Sequence, residues 1–272
     1  MDYRTLLDAC AVAARAAGDE ILRLTERGFA VEAKADLSPV TACDHAAEAI
    51  ILEALRTAAP GVPVIAEEEV AAGRIPAHGD IYFLVDPLDG TKEFVAGGED
   101  YTVNIGLIVG GAPLLGVVHQ PVTGVSWAGL VGEGAFREGP VGEEGSARRS
   151  ISTRPLGEER SAVASKSHFN QATADYLEEA LGMCGHVAVG SSLKFCVLAE
   201  GLADIYPRLS PTSEWDTAAG HAVLLAAGGR ADGPDGAPLA YGKPAFINRG
   251  FCATGGWQAP TVAPFLPDFT RP

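Results

Sequence analysis

The apolar run Ile81-Tyr82-Phe83-Leu84-Val85 passes directly into Asp86-Pro87-Leu88-Asp89-Gly90-Thr91-Lys92-Glu93-Phe94. Five apolar residues read as a buried strand. Pro87 lacks an N–H, so the ladder is expected to end at Val85. Asp86 and Asp89 should then project from a turn at the strand end, with the Leu88 carbonyl between them as a further hard oxygen donor. Gly90 removes the Cβ where a backbone N–H must approach an anion, and Thr91 adds a hydroxyl. The same letters also suit a plain Asx turn, because Asp-Gly is a common turn pair.

Three further groups of acids recur at element boundaries. Val64-Ile65-Ala66 leads into Glu67-Glu68-Glu69, which reads either as a solvated acidic loop or as a ligand at the end of a short strand. Trp215-Asp216-Thr217-Ala218-Ala219-Gly220 opens an apolar helical run closed by Gly228-Gly229. Asp216 would lie in its first turn, where the helix dipole favours an acid in any case. Asp44 likewise precedes the helix carrying Ile50, Ile51, Leu52 and Leu55, and suits a cap. Glu67, Asp86, Asp89 and Asp216 gathered at one point would repel one another without cations. Oxygen donors without His or Cys at ligand spacing favour Mg²⁺, Ca²⁺ or Mn²⁺ over zinc. Two such cations beside a phosphate-sized anion form the clamp used in phosphoryl hydrolysis.

Taken together, Glu67-Glu68, the turn from Asp86 to Thr91, and the stretch from Trp215 to Gly220 resemble the three signatures of the inositol monophosphatase superfamily of lithium-sensitive, magnesium-dependent phosphatases. The resemblance spans essentially the whole chain. Within that superfamily it is similar to the bacterial 3'(2'),5'-bisphosphate nucleotidases through Lys34-Ala35-Asp36 with Ser38-Pro39-Val40-Thr41, Gly90 to Phe94, Ser165 to His168, Gly190 to Cys196, and Tyr206-Pro207-Arg208. The resemblance implies one metal site from Glu67, Asp86 and the Leu88 carbonyl, and a second from Asp86, Asp89 and Asp216. Gly90 and Thr91 would hold the phosphate; Glu67, Leu88, Asp89 and Asp216 would also border the substrate. Asp44 and Thr91 would orient the attacking water. His168, Gly190, Ser191, Lys194 and Arg208 would hold the nucleotide and its second phosphate. Two or three Mg²⁺ ions are implied per site. Glu67 is preferred over Glu68 as the first acid after the short strand.

The residues alone leave other readings open for the second half. Gly190-Ser191-Ser192 opens a helix whose N-terminus could attract phosphate, or a capped surface helix with an exposed Lys194. His168 also suits a polar loop residue, and Arg208 can pair with a phosphate through two nitrogens. Inositol or sugar phosphates are the competing substrates, and a non-catalytic divalent-cation module is the competing class. The second phosphate-binding cations favour adenosine 3',5'-bisphosphate, giving AMP and phosphate, with 3'-phosphoadenylyl sulfate as a second substrate; the resemblance places this in sulfur metabolism.

At 272 residues with 47% hydrophobic composition and mean hydropathy +0.14, the chain can bury a large core. Net charge of −15 argues against a nucleic-acid polymer as partner, and bound cations must reverse that sign where a polyanion is held. No stretch is long enough to span a bilayer, and the acidic start Met1-Asp2-Tyr3-Arg4 does not read as a signal peptide. Five scattered cysteines (10, 43, 184, 196 and 252) without CxxC spacing read as reduced packing residues. A cytoplasmic monomer or homodimer is expected, free or at the inner-membrane surface.

The periodicity predicts helices over 3–27 and 42–58, then a meander of strands at 102–109, 113–119 and 125–130. Residues 132–149 read as a hairpin with a mobile loop. Beyond residue 162 the order becomes strand, helix (171–181), strand (186–189), helix (192–200), strand (203–206) and the Asp216 helix, an α/β pattern. The expected division is an N-terminal α+β half (1–155) carrying the metal site and a C-terminal α/β half (156–272) carrying Asp216 and the nucleotide-binding residues. The fold implied by the resemblance is α/β (α+β), a layered αβαβα sandwich of the inositol monophosphatase and fructose-1,6-bisphosphatase kind.

Overall fold

The computed structural model describes residues 1–33, 39–140, 147–183 and 185–267. Lys34, Ala35, Asp36 and Ser38 of the family-like stretch, residues 141–146 of the expected loop, and Cys184 lie outside the described residues.

Two helices form the outer layer. Helix α1 (Tyr3–Arg27) is capped by Asp2, whose carboxylate accepts the Arg4 and Thr5 N–H groups. Its buried stripe, including Leu6, Cys10, Ala14, Ala17 and Ile21, lies against α2 (Ala42–Ala58) and the sheet. A small ladder joins β1 (Val31–Ala33) to β2 (Pro39–Thr41), and Thr41 caps α2.

Among the described residues the largest sheet has seven strands in sequence order: β3 (Val64–Ala66), β4 (Ile81–Asp89), β5 (Thr102–Val109), β6 (Ala112–Gln120), β7 (Val125–Leu130), β8 (Gly134–Glu138) and β9 (Arg149–Ile151). The β3–β4 pair is parallel and the others antiparallel. Short helices α3 (Glu67–Ala71) and α4 (Thr91–Val95) follow β3 and β4, so the triple acid is helical rather than a loop.

The period of two along each strand assigns the faces. Phe83, Val85, Val103, Ile105 and Leu107 join the core beneath α1 and α2. Tyr82, Leu84 and Ile108 join the opposite core. Asp86 has the parity of Tyr82 and Leu84, so it faces away from α1 and α2.

One expectation at this strand is corrected. β4 does not stop at Val85; it pairs through Asp86↔Asn104 and again at Asp89↔Thr102, with an irregular register between. The bulge absorbs Pro87, and β3 pairs with β4 only as far as Val85, leaving no ladder there for Pro87 to interrupt. The carboxylates thus ride on a strand, held more firmly than a free turn would hold them.

The remaining elements are β10 (Val163–Ser165), α5 (Gln171–Asp175, continued by a π turn over Tyr176–Ala180), β11 (Val187–Val189), α6 (Leu193–Ala199), β12 (Ile205–Arg208), β13 (Thr212–Ser213), α7 (Trp215–Ala226), β14 (Arg230–Asp232), β15 (Ile247–Asn248) and β16 (Phe251–Thr254). The strand expected at 203–206 begins two residues later. β12, β16 and β14 form a second sheet, β10 pairs with β11, and β13 pairs with β15. Helices α6 and α7 fill the space between the two sheets, and α5 covers the far side with Tyr176 and Leu177 against Ile205 and Cys252. The layers run α, β, α, β, α, as the resemblance implies.

Helix α7 approaches the large sheet unusually closely. Gly106, Gly116 and Gly129 are neighbours across β5, β6 and β7 and form a floor without side chains. A Cβ at Gly116 would fall 2.3 Å from the Ala219 carbonyl oxygen, and at Gly106 2.9 Å from the Ala218 Cβ. The groove sets the depth of α7 and so carries Asp216, in its first turn, toward the end of β4 and the start of β5.

Candidate active site

A cleft of about 350 Å³ is lined by Glu67, Asp86, Asp89 and Asp216 together with His168, Lys194 and Arg208. Leu88, Gly90, Thr91 and Ser191 add to the lining. Three separated chain segments supply the acids: the start of α3, the bulged end of β4 and the first turn of α7. Glu68 is buried against α2 instead, its N–H donated to Glu48 Oε2 at 2.8 Å. That geometry suits the Glu67 register.

The acids crowd one another. Burial, and then the charges of Asp89 and Glu67, push the Asp216 carboxyl up to about 7. Burial also raises Asp89, against the opposing pull of the Ser191 hydroxyl and the Lys194 charge. Asp86, Asp89 and Asp216 each have a local partner as well. The Leu88 N–H donates to Asp86 Oδ1 at 3.0 Å, Ser191 Oγ donates to Asp89 Oδ2 at 2.6 Å, and Thr212 Oγ1 and the Ser213 N–H donate to Asp216 Oδ2. Among the described residues no three Asp, Glu, His or Cys side chains close on a single point in this arrangement. The donor set is nonetheless all oxygen, and its raised carboxyls are those a divalent cation would return to the ionised form. These residues fit Mg²⁺.

Asp44 helps cap α2 and also reaches Thr91. Its Oδ2 accepts the Thr41 N–H and hydroxyl, each at 2.7 Å, in a capping box at the start of α2. Its Oδ1 is directed to Thr91 Oγ1 at 3.3 Å, and that hydroxyl also lies 3.0 Å from the Leu88 carbonyl oxygen. Gly90, with φ of 92°, could not carry a side chain: a Cβ there would lie 2.8 Å from the Asp100 carbonyl oxygen.

Lys194 is buried, not exposed on a surface helix. Its ammonium donates to the Val189 and Ser191 carbonyls and lies 5.2 Å from the Tyr206 ring centroid. Burial pulls it down to about 8, opposed by Asp89. Arg208, also buried, donates to the carbonyls of Ser210 and Pro211 at 3.3 and 3.1 Å. His168 stands at the rim with Ser165 Oγ 3.4 Å from its Nδ1. Partial burial, then the Arg208 and Lys92 charges, lower it to about 4. Gly190 is not part of the cleft wall; its N–H donates to Asp100 Oδ2 at 3.0 Å.

The family model for the inositol monophosphatase family matches residues 2–261. The chain belongs to this family. It is 44% identical over 253 residues to the 3'(2'),5'-bisphosphate nucleotidase CysQ of Escherichia coli (strain K12), covering 90% of this chain and 98% of that protein. Among solved structures, CysQ from Bacteroides thetaiotaomicron superposes with a TM-score of 0.78 at 33% identity, covering 94% of this chain and 99% of that one. An inositol monophosphatase from Anabaena (Nostoc) superposes with a TM-score of 0.75 at 26% identity over 99% of both chains.

Sequence reasoning missed a hydroxyl network beside the cleft of this inositol monophosphatase family member. Thr102 and Asn104 project from β5 into a hydroxyl network: Thr102 Oγ1 lies 2.9 Å from Ser192 Oγ, Ser192 Oγ donates to Asn104 Oδ1 at 2.6 Å, and Ser191 bonds to both Thr102 and Asp89. The signal was available, since two polar residues at i and i+2 in an otherwise apolar strand must face partners inside the protein.

Proposed function

We propose that this chain is a magnesium-dependent 3'(2'),5'-bisphosphate nucleotidase that removes the 3'-phosphate of adenosine 3',5'-bisphosphate, giving AMP and phosphate. The chain is a phosphatase of its family, and the finer assignment rests chiefly on one observation: a single cleft brings four carboxylates together with Lys194, Arg208 and His168. The carboxylate wall suits cations that hold the scissile phosphate. The cationic wall suits a second anionic group, which a simple monophosphate lacks. The name of the similar Escherichia coli protein agrees with this substrate class.

Glu67, Asp86 and the Leu88 carbonyl would hold one Mg²⁺, and Asp86, Asp89 and Asp216 a second. Bound there, Mg²⁺ supplies acidification of water and neutralisation of charge on the phosphoryl oxygens. The residues of the chain position the rest. The Gly90 and Thr91 N–H groups face the phosphate. The Thr91 oxygen can accept a hydrogen bond from the attacking water while its own proton turns to Asp44 Oδ1, which the α2 cap leaves available. Water attacks phosphorus as one of its protons passes toward Asp44 through Thr91, the bond to the 3'-oxygen breaks, and the leaving oxygen takes a proton from a solvent water to become the 3'-hydroxyl.

The test is phosphate release from adenosine 3',5'-bisphosphate, inositol 1-phosphate and fructose 1,6-bisphosphate, compared side by side with Mg²⁺. The nucleotide should give the highest kcat/KM. A preference for inositol 1-phosphate would replace this reading with the inositol phosphatase alternative.

A further inference from the structure

The cationic wall does not stand unsupported; it is tied to the metal-bearing half at Asp100, in the loop between α4 and β5. Asp100 Oδ2 accepts the Lys166 ammonium at 2.7 Å and the Gly190 N–H at 3.0 Å. Its backbone and Cβ are wedged between the two halves. A Cβ at Gly90 would meet the Asp100 carbonyl oxygen at 2.8 Å, and a Cβ at Gly190 would meet the Asp100 Cβ at 2.5 Å. A second tie lies alongside, where Ser167 Oγ donates to Glu93 Oε1 on α4. The Lys166 N–H donates in turn to the Val189 carbonyl, joining the ends of β10 and β11.

Two segments are thereby held at once. Lys166 and Ser167 belong to the turn that Ser165 closes by accepting the His168 N–H at 3.2 Å, so this tie fixes where His168 stands over the cleft. Gly190 precedes Ser191, whose backbone is in the left-handed region (φ 51°) and whose hydroxyl reaches Asp89. A non-glycine residue in that conformation persists only where its surroundings impose it. The Asp100 carboxylate, about three-quarters shielded from solvent, supplies that constraint at the preceding amide.

We propose that Asp100 is a positioning residue: through Lys166 and Gly190 it latches the His168 turn and the Ser191 bend to the phosphate-binding turn, and so sets the distance between the two anion-binding walls. This inference rests on the bisphosphate reading of the same cleft. A substrate spanning both walls depends on the latch more heavily than one held at the carboxylates, which the latch reaches only through the Ser191 hydroxyl on Asp89.

The test uses the full chain with Mg²⁺ and the variants Asp100→Asn, Lys166→Ala and the double variant, assayed on adenosine 3',5'-bisphosphate and on p-nitrophenyl phosphate. Hydrogen–deuterium exchange of the peptide covering 187–192 is read in parallel. Each single variant should raise KM for the bisphosphate about five- to tenfold with kcat within twofold, and change p-nitrophenyl phosphate hydrolysis less than twofold. The double variant should be no worse than Asp100→Asn, because both members act through one ion pair. Exchange at 187–192 should quicken in Asp100→Asn. Lys166 is half exposed, so Lys166→Ala keeps the test readable if the Asp100 variant folds poorly. Equal losses on the two substrates, or an unchanged KM with unchanged exchange, would overturn the latch. A wild-type enzyme with no preference for the bisphosphate would instead defeat the substrate assignment, and the exchange result alone would then decide for or against the latch.

Discussion

Substituting Gly116 by Ala would test whether the depth of α7 governs catalysis from a distance. The added methyl would sit 2.3 Å from the Ala219 carbonyl oxygen and 2.8 Å from the Ala222 Cβ, about 1 Å inside ordinary van der Waals contact. The nearest atom belongs to helix backbone, so no side-chain rotation can relieve it; α7 must lift. Overpacking of this kind costs about 1–3 kcal/mol, or roughly 3–10 °C in Tm for a chain of this size. Asp216 lies one turn from Ala219 and moves with it. A displacement near 1 Å at a reacting centre can lower the rate about 100-fold. Melting curves, kcat at saturating substrate and half-saturating Mg²⁺ should all be measured, with Gly79→Ala as control because a Cβ there meets nothing within 4 Å. We expect Gly116→Ala to lose both stability and turnover and to need more Mg²⁺, and the control to change none of them. A Gly116→Ala enzyme with Tm within 1 °C and kcat within twofold of wild type would refute the argument.

Asp86→Asn should lower turnover at least about 100-fold without lowering Tm, since it removes one of several repelling charges; a variant retaining a tenth of the activity would remove Asp86 from the shared metal position. Lys194→Met should raise KM for adenosine 3',5'-bisphosphate about 10-fold or more, the range expected for losing a charge-assisted contact, while p-nitrophenyl phosphate changes less than threefold; equal losses would take Lys194 out of substrate selection. The raised carboxyl of Asp216 favours the protonated form in the folded state, so the stability it lends is full below pH 4 and lost as pH climbs through about 7, and the raised Asp89 acts in the same direction. Mg²⁺ favours their ionised forms, so its gain in Tm should be larger at pH 8 than at pH 5.5, and equal gains would contradict the crowding described at the cleft.

Much of this site was legible because its chemistry sits at element ends. Apolar runs marked β4 and α7, and the acids following or opening them could be paired with a function before their positions were known. What escaped reading depended on tertiary contact. Pro87 obeyed its local rule, yet β4 continued past it because the bulge and the missing β3 neighbour made its lost donor harmless. Lys194 could be read in sequence as exposed and Gly190 as opening a phosphate-binding helix, but the first is enclosed beside Tyr206 and the N–H of the second is taken by Asp100, ninety residues earlier. Asp44 was ambiguous for a different reason. One carboxylate performs two tasks, one oxygen for the α2 cap and the other for Thr91.

The glycine floor under α7 also bears on how the chain comes to be folded. Ala219 meets strands made about a hundred residues earlier, and until it does, the face of the large sheet bearing Gly106, Gly116 and Gly129 has no cover. During synthesis the emerging meander must wait with that face bare. Contacts this distant in sequence form slowly, and bare sheet faces invite association between chains. A chain stopped before residue 215 should therefore be prone to aggregate, and the carboxylate set would be complete only when the last quarter of the protein docks. Maturation of the enzyme and closure of its core would then be a single event.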